Sequence, residues 1–354
     1  MALQKIAIVP GDPAGIGPEL IAKLLQENGV TQSADILLIG DAHIWERGAA
    51  QAELPLTLNT ISAAQAADFN GLAHLDMQTI TVEEIQIAEV TVAGGTTSLR
   101  CLDKAMDLAV EGHIDGILFA PFNKAAMTSA GLNAEDEHRY MARYLGFTGY
   151  HSEINVLDNL MTTRVTSHIG LKDVAAKIDQ EGILRAVDLA ESTLRRAGNS
   201  RPSIAVAALN PHAGDNGKFG QEEIDIIAPA IHACQQKQMD VSGPWPSDTV
   251  FIKAKRGEVD AVVTMYHDQG QIAIKLMGFD RGVTVAGGLP YPIVTPAHGT
   301  AFDIAGQNKA NVSATRRAYD LLLQMTKTRS DNHKISLTGK RYKRTEQCYK
   351  VKTS

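Results

Sequence analysis

Cysteine is scarce: Cys101, Cys234 and Cys348 are the only three in 354 residues. An odd number, widely separated and without a C-x-x-C pair, excludes a disulfide framework and fits a reduced compartment. Long apolar runs are missing too, for no stretch approaches the roughly 20 apolar residues of a membrane span. The early run Ile6-Ala-Ile-Val-Pro10 is too short for a signal-peptide core and leads straight into a Gly/Pro loop. The expectation is a cytoplasmic protein outside the membrane. Basic charge is also short over the main body. Nine Lys/Arg against two Asp/Glu fall in Lys327–Ser354, so the net −6 of the chain divides into +7 there and −13 over residues 1–326. That is no nucleic-acid footprint. Familiar catalytic templates are absent: no H-E-x-x-H, no G-x-S-x-G, no Walker lysine behind a glycine loop. The loop Gly11-Asp-Pro-Ala-Gly-Ile-Gly-Pro-Glu19 lacks the G-x-G-x-x-G spacing that seats a pyrophosphate on a helix end, which argues against a Rossmann site. A nicotinamide cofactor would need another segment to hold it.

What is present describes a globular enzyme-sized chain, 44% hydrophobic and 21% charged, with a length that suggests two domains. Short β-branched runs alternate with longer helix-like segments, the pattern of an α/β fold with a mainly parallel sheet. The apolar runs predict strands at Lys5–Val9, Asp35–Ile39, Gly116–Ala120, Ile154–Val156, Arg164–Thr166, Ser203–Ala207, Ala261–Met265 and Gly282–Val285. Helical periods fall at Pro18–Gln26, Leu99–Val110, Ile183–Ala197, Gln221–Gln236 and Ser313–Met325. Pro18 and Glu19 suit a first helical turn, the carboxylate facing the positive helix end. Beyond Thr326 the apolar period fades, and residues 327–354 read as a solvated basic tail.

Three histidines stand where predicted parallel strands run out: His168 after Arg164-Val-Thr-Ser, His212 after Ile204–Pro211, and His267 after Val262–Tyr266. Open α/β sheets bind ligands at that end. Each alone reads more readily as a hydrogen-bonded loop histidine. Three neutral imidazoles from separate strands, with positions left open, would hold a divalent metal and leave room for substrate. Asp268 and Asp248 could orient a ligating imidazole or move protons, or serve only as helix-cap and turn aspartates.

Taken together, "GDPAGIGPE", "APFNKAAMTSAG", "NPHAGDNGKFGQEE", "GPWPSDTVF", "YHDQGQIAIK" and "HGTAFDIAGQNKAN" resemble the 4-hydroxythreonine-4-phosphate dehydrogenase family, including catabolic relatives acting on phosphorylated threonate or erythronate, over about residues 5–325. The resemblance implies NAD-dependent oxidation of a secondary alcohol to a β-keto acid, which loses carbon dioxide at a divalent metal. That metal is zinc, or magnesium, manganese, cobalt or nickel, held by His168, His212 and His267. It further implies His138 and Lys275 as substrate contacts and a homodimer with a shared active site. Bound to the hydroxyl oxygen, the metal acts as a Lewis acid, while the Lys275 ammonium holds an anionic group or relays a proton. Residues 298–311 also resemble the adenosine-binding loop of isocitrate and isopropylmalate dehydrogenases, which implies NAD or NADP on His298, Gly299, Thr300 and Asp303. Gly299 and Gly306 would let backbone approach a flat base, and Asp303 would accept hydrogen bonds or cap the next helix. The fold so implied is a two-domain α/β/α architecture with a deep interdomain cleft. One discontinuous domain spans 1–125 and 296–326, and the other, 126–295, carries the metal site.

Three positions depart from the family pattern. Ile293 stands where relatives carry arginine, Thr284 where they carry asparagine, and Arg139 where they carry threonine. Arg139 could supply a guanidinium fork to phosphate or carboxylate, or form a surface ion pair with Asp136 or Glu137. The substrate therefore stays open among a phosphorylated four-carbon acid, an unphosphorylated hydroxy acid and a dihydrodiol carboxylate. A metal-dependent non-redox lyase or acyl-transfer enzyme is a further alternative. So is a ligand-binding regulator without catalysis, against which the intact histidine set and Lys275 argue.

Overall fold

The computed structural model describes residues 3–327; the rest of the basic tail, with Cys348, lies outside the described residues. The chain divides into two compact units, one made of residues up to Gly149 and from Leu289 onward, the other of Tyr150–Gly288.

In the first unit the strands are β1 (Gln4–Val9), β2 (Ala34–Ile39), β3 (Leu72–Leu75), β4 (Gly116–Phe119) and β11 (Ile293–Pro296). They run β3-β2-β1-β4-β11 with every pair parallel. Ile6–Val9 and all of β2 are buried, as expected where helices cover both faces of a parallel sheet and no alternation survives. The winding leaves β1 toward β2 and returns on the other side at β4, a switch point from whose carboxyl end the Gly11–Ile16 loop emerges. Glu19 does not simply face the helix dipole. Its buried Oε1 accepts from Lys23 Nζ (2.8 Å) and Ala310 N (2.9 Å), tying helix Gly17–Gln26 to the 298–311 segment.

The helix expected at Leu99–Val110 begins earlier, at Val92, capped by Thr91 through Gly94 N. Gly94 and Gly95 read as breakers in sequence, yet a Cβ on Gly95 would lie 2.0 Å from Ala126 O, so the glycine permits helix Lys124–Ser129 to pack there. That packing sets the unit boundary. Met127 and Leu132 cluster with Leu99, and Tyr140 Oη of helix Glu137–Tyr144 donates to Asp103 (2.6 Å), so residues 126–149 belong to the first unit rather than to the second. Likewise Ile293 pairs with Ile117 in the first sheet, which brings the chain after Gly288 back before residue 296.

The second unit contains β5 (Ser152–Leu157), β6 (Leu160–Arg164), β7 (Ser203–Ala207), β8 (Asp240–Trp245), β9 (Ala261–Thr264) and β10 (Val283–Gly287), ordered β10-β5-β6-β9-β7-β8. β6, β9, β7 and β8 are parallel, whereas β5 is antiparallel to both its neighbours. The strand expected at Arg164–Thr166 ends at Arg164. A tight Asp158-Asn159 turn, with Asp158 left-handed at φ 53°, pins Leu157 opposite Leu160 and pulls the strand back. The helix expected over Gln221–Gln236 starts as a π-helical turn, Glu223–Ile227, before regular Ala228–Gln236. Cys101 and Cys234 are buried thiols with no disulfide. Among the described residues no helix is long and apolar enough to cross a membrane.

Candidate functional site

The carboxyl ends of β6, β9 and β7 lie side by side, and the histidines follow them: His168 after Arg164, His267 after Thr264, His212 after Ala207. Main-chain bonds bind the first two connections together, with Val165 N donating to Thr264 O (2.9 Å) and Thr166 N to Met265 O (3.1 Å). Arg164, only 4% exposed, donates to Glu153 Oε2 (2.6 Å) and, through Nε, to Ser167 Oγ just before His168. Gln269 joins the third. Its Oε1 accepts from Met265 N (2.7 Å) while Nε2 donates to Ala208 O (2.8 Å) and Ser247 Oγ (2.7 Å). The sequence gives no hint of this glutamine beyond its place after His267-Asp268.

His168 (φ 46°) and His212 (φ 53°) both hold left-handed backbone, which costs a non-glycine residue about 1–2 kcal/mol. Such outliers persist only where the surroundings over-determine them, and they cluster at ligand sites. The His168 and His267 rings have centroids 5.9 Å apart at 43°. Asp268 Oδ1 lies 2.6 Å from His267 Nδ1, so this carboxylate can accept the Nδ1–H hydrogen bond and leave the Nε2 lone pair to bind a metal ion. The His212 ring centroid lies 6.3 Å from that of Phe219. Among the described residues no group of three His, Cys, Asp or Glu side chains converges to hold a metal ion within one chain. The fold thus brings the His168 and His267 rings near one another, sets Asp268 against the second, and carries His212 on the loop after the neighbouring strand β7. Asp248 is exposed in the first turn of helix Ser247–Lys255, Lys275 is exposed late in helix His267–Gly278, and Thr284 sits on β10 opposite Asn155.

The remaining expected residues lie in the first unit. His138 is buried near the start of helix Glu137–Tyr144. Arg139, with a side chain 55% exposed, pairs with Glu135 Oε2 at 2.5 Å, rather than with Asp136, which caps the helix through Arg139 N. Ile293 is fully buried in β11. Beyond β11, His298 Nδ1 lies 3.2 Å from Gly299 O and Nε2 is buried with no hydrogen-bond partner; burial holds the imidazole below its ordinary pKa. A Cβ on Gly299 would meet nothing within 4 Å, so the glycine leaves its backbone open, whereas Gly306 meets a left-handed requirement at φ 76°. Thr300 O accepts from Ile16 N (3.1 Å), which docks the glycine-rich loop on this segment. Asp303 is exposed, and its carbonyl rather than its carboxylate is engaged, by Gln307 Nε2 at 2.8 Å; the next helix takes its bond from Asn311.

Asp12 was not singled out by sequence pattern. It is 1% exposed; Oδ1 accepts from Ala14 N (2.9 Å), while Oδ2 is buried without a partner. Burial pushes its pKa up to about 6, against the opposing pull of the Ala14 N–H and the Arg47 guanidinium. Arg47 is itself held below its usual pKa by burial, and Nη2 donates to Pro13 O. An aspartate wedged between glycine and proline behind a buried strand was the available signal.

Comparison with known proteins joins these features to a family. A Pseudomonas aeruginosa protein assigned as 4-hydroxythreonine-4-phosphate dehydrogenase 2 is 49% identical, over 92% of this chain and 97% of its own length. D-threonate 4-phosphate dehydrogenase of Salmonella typhimurium is 38% identical, over 92% of this chain and all of that protein. Among solved structures, 4-hydroxythreonine-4-phosphate dehydrogenase from Klebsiella pneumoniae matches with a TM-score of 0.79 at 37% identity, covering 92% of this chain and 98% of that one. The family model described as pyridoxal phosphate biosynthetic protein PdxA matches residues 32–322, and the chain belongs to the PdxA family.

Proposed function

We propose that this chain is a metal-dependent, NAD(P)-linked dehydrogenase that oxidises the secondary alcohol of a phosphorylated four-carbon hydroxy acid and then decarboxylates the β-keto product. The observation that carries the reading is the delivery of three imidazole-bearing loops to the adjacent carboxyl ends of β6, β9 and β7, two of them in left-handed backbone. An imidazole donor set with a carboxylate behind one ring fits a divalent transition ion, and His168, His212 and His267 would hold it. A bound ion supplies Lewis acidity to the substrate's hydroxyl oxygen, and NAD(P), on His298, Gly299, Thr300 and Asp303, supplies the hydride acceptor.

Asp268 keeps the His267 ring in one tautomer. Lys275 and Asp248 are assigned to proton movement and to the substrate's anionic groups, with His138, Arg139 and Thr284 as further substrate contacts. With a hydride acceptor bound on the 298–311 segment, the carbinol carbon would give up hydride to it while the hydroxyl would lose its proton to a base of this chain. In the second step the bond to the carboxylate breaks, carbon dioxide leaves, and the electron pair left behind is protonated at carbon.

The reading includes a homodimer with a shared active site. Exposed Ile169 and Leu171 beside His168, and Ile272 and Leu276 beside Lys275, supply apolar surface for a second copy. An unphosphorylated hydroxy acid is the second reading, supported by buried Ile293 in place of a cation and by Arg139 being engaged with Glu135. NADH formation from 4-phosphothreonate and from threonate, before and after chelation and metal readdition, separates the two. No turnover of either by the reloaded protein would sink both.

A further inference from the structure

We propose that Glu223 is the positioning residue that holds His212 in its ligating conformation; the inference rests on the metal reading above and adds a residue to it. Glu223 is 3% exposed although ionisable, and the hydrogen bonds of its carboxylate are all directed at the loop that carries His212. Its Oε1 accepts from two consecutive backbone amides, Leu209 N and Asn210 N, each at 2.8 Å, and Oε2 accepts from Asn210 Nδ2 at 2.9 Å. Glu222 Oε2 takes the same amide group at 2.7 Å. Pro211 and His212 follow directly.

The loop needs such a clamp. His212, Ala213, Gly214, Asp215, Asn216 and Gly217 all have positive φ, and four of the six carry a side chain. A run of left-handed residues does not hold itself, since each non-glycine member is disfavoured relative to ordinary backbone. Gly214 is where the run meets the clamp: it sits at φ 79°, and a Cβ there would lie 2.7 Å from Glu223 Oε2. The carboxylate therefore occupies the space inside the turn, and its charge is met by amide donors aimed at both oxygens. Glu223 itself begins the π-helical turn Glu223–Ile227, an irregularity found frequently at functional sites. Without the clamp, His212 relaxes toward ordinary backbone, and the imidazole leaves its place.

The test is cobalt(II) binding to the full-length protein, stripped with chelator, read from the visible absorption of the bound ion, with melting temperature measured in parallel. Glu223→Gln keeps the size of the side chain but turns one oxygen into a donor facing Asn210 Nδ2. Loss of such an outer contact weakens metal affinity about 10–100-fold. The expected result is a weakening in that range with circular dichroism unchanged, while Glu222→Gln, which alters only one contact to the Asn210 amide, stays within about threefold. Should Glu223→Gln fail to fold, Gly214→Ala disturbs the same contact from the loop side and is expected to weaken cobalt binding likewise. Cobalt affinity equal to wild type in a folded Glu223→Gln protein, or a lowered melting temperature with affinity intact, overturns the inference. His212→Ala separates its failure from that of the metal reading: cobalt bound as tightly without His212 removes both, whereas loss there with no loss in Glu223→Gln removes only the role of Glu223.

Discussion

Replacing Asp12 by asparagine should make the protein more stable at neutral pH, and by an amount that depends on pH in a defined direction. The Asp12 pKa is raised from an ordinary 3.8 to about 6 because the carboxyl is buried with one oxygen unpartnered. At about 1.4 kcal/mol per pH unit, that interval corresponds to ~3 kcal/mol of cost to the fold once Asp12 is ionised. The folded state holds the proton more tightly than the unfolded chain, so between pH 3.8 and about 6 stability falls as pH rises. Below that window Asp12 is protonated in both states and contributes no cost; above it the cost is complete. Asparagine keeps the acceptor for Ala14 N and does not titrate. The melting-temperature difference between Asp12→Asn and wild type should therefore grow from pH 4 to pH 6.5 and then level off. For a unit of this size 1 kcal/mol corresponds to about 2–4 °C, so the growth reaches at most ~6–12 °C. Differential scanning calorimetry at half-unit pH steps is the assay, read as the difference between the two proteins so that other titrations cancel. A difference that stays flat across the window would mean that Asp12 remains ionised and partnered, and that burial does not govern it.

If two chains share each site, mixing the inactive variants His212→Ala and His267→Ala should restore up to about a quarter of wild-type activity after subunit exchange, because one of the two sites in each mixed dimer is intact. No recovery after exchange verified by mass spectrometry argues for a site within one chain. Arg139→Ala should shift stability by less than about 0.5 kcal/mol, since an exposed ion pair with Glu135 is worth little. The same change should lower kcat/KM for a phosphorylated substrate by a factor of about thirty or more if the guanidinium grips the anion, with Arg139→Lys recovering little. An unchanged kcat/KM assigns Arg139 to the surface.

The α/β class was legible because β1, β2, β7 and β9 are buried on both faces, and burial of that kind leaves continuous apolar runs. Elements with less apolar content were not. β3 is only Leu-Ala-His-Leu, and helix Glu137–Tyr144 buries just His138, Met141 and Ala142, too few positions to declare a period. The start of helix Val92–Val110 was hidden by glycines whose purpose, the close approach of Ala126, belongs to tertiary packing. The site divides the same way. A histidine behind a strand can be read from order along the chain, so His168, His212 and His267 stood out. Glu223 and Gln269 act by folding side chains back onto backbone groups of other segments, and no local spacing announces which glutamate or glutamine will do so. Arg139 looked like a neighbour of Asp136 or Glu137, but the bend that precedes helix Glu137–Tyr144 gave it Glu135, four residues earlier.

The central claim is that His168, His212 and His267 together hold one catalytic divalent ion. Metal content per chain, measured by inductively coupled plasma mass spectrometry on wild type and on His168→Ala, His212→Ala and His267→Ala, tests it most directly. Near-stoichiometric divalent metal is expected in the wild type, falling to less than about a tenth in each variant, with folding unchanged and NADH formation lost in step. Full metal content in any one folded variant would contradict the three-histidine site.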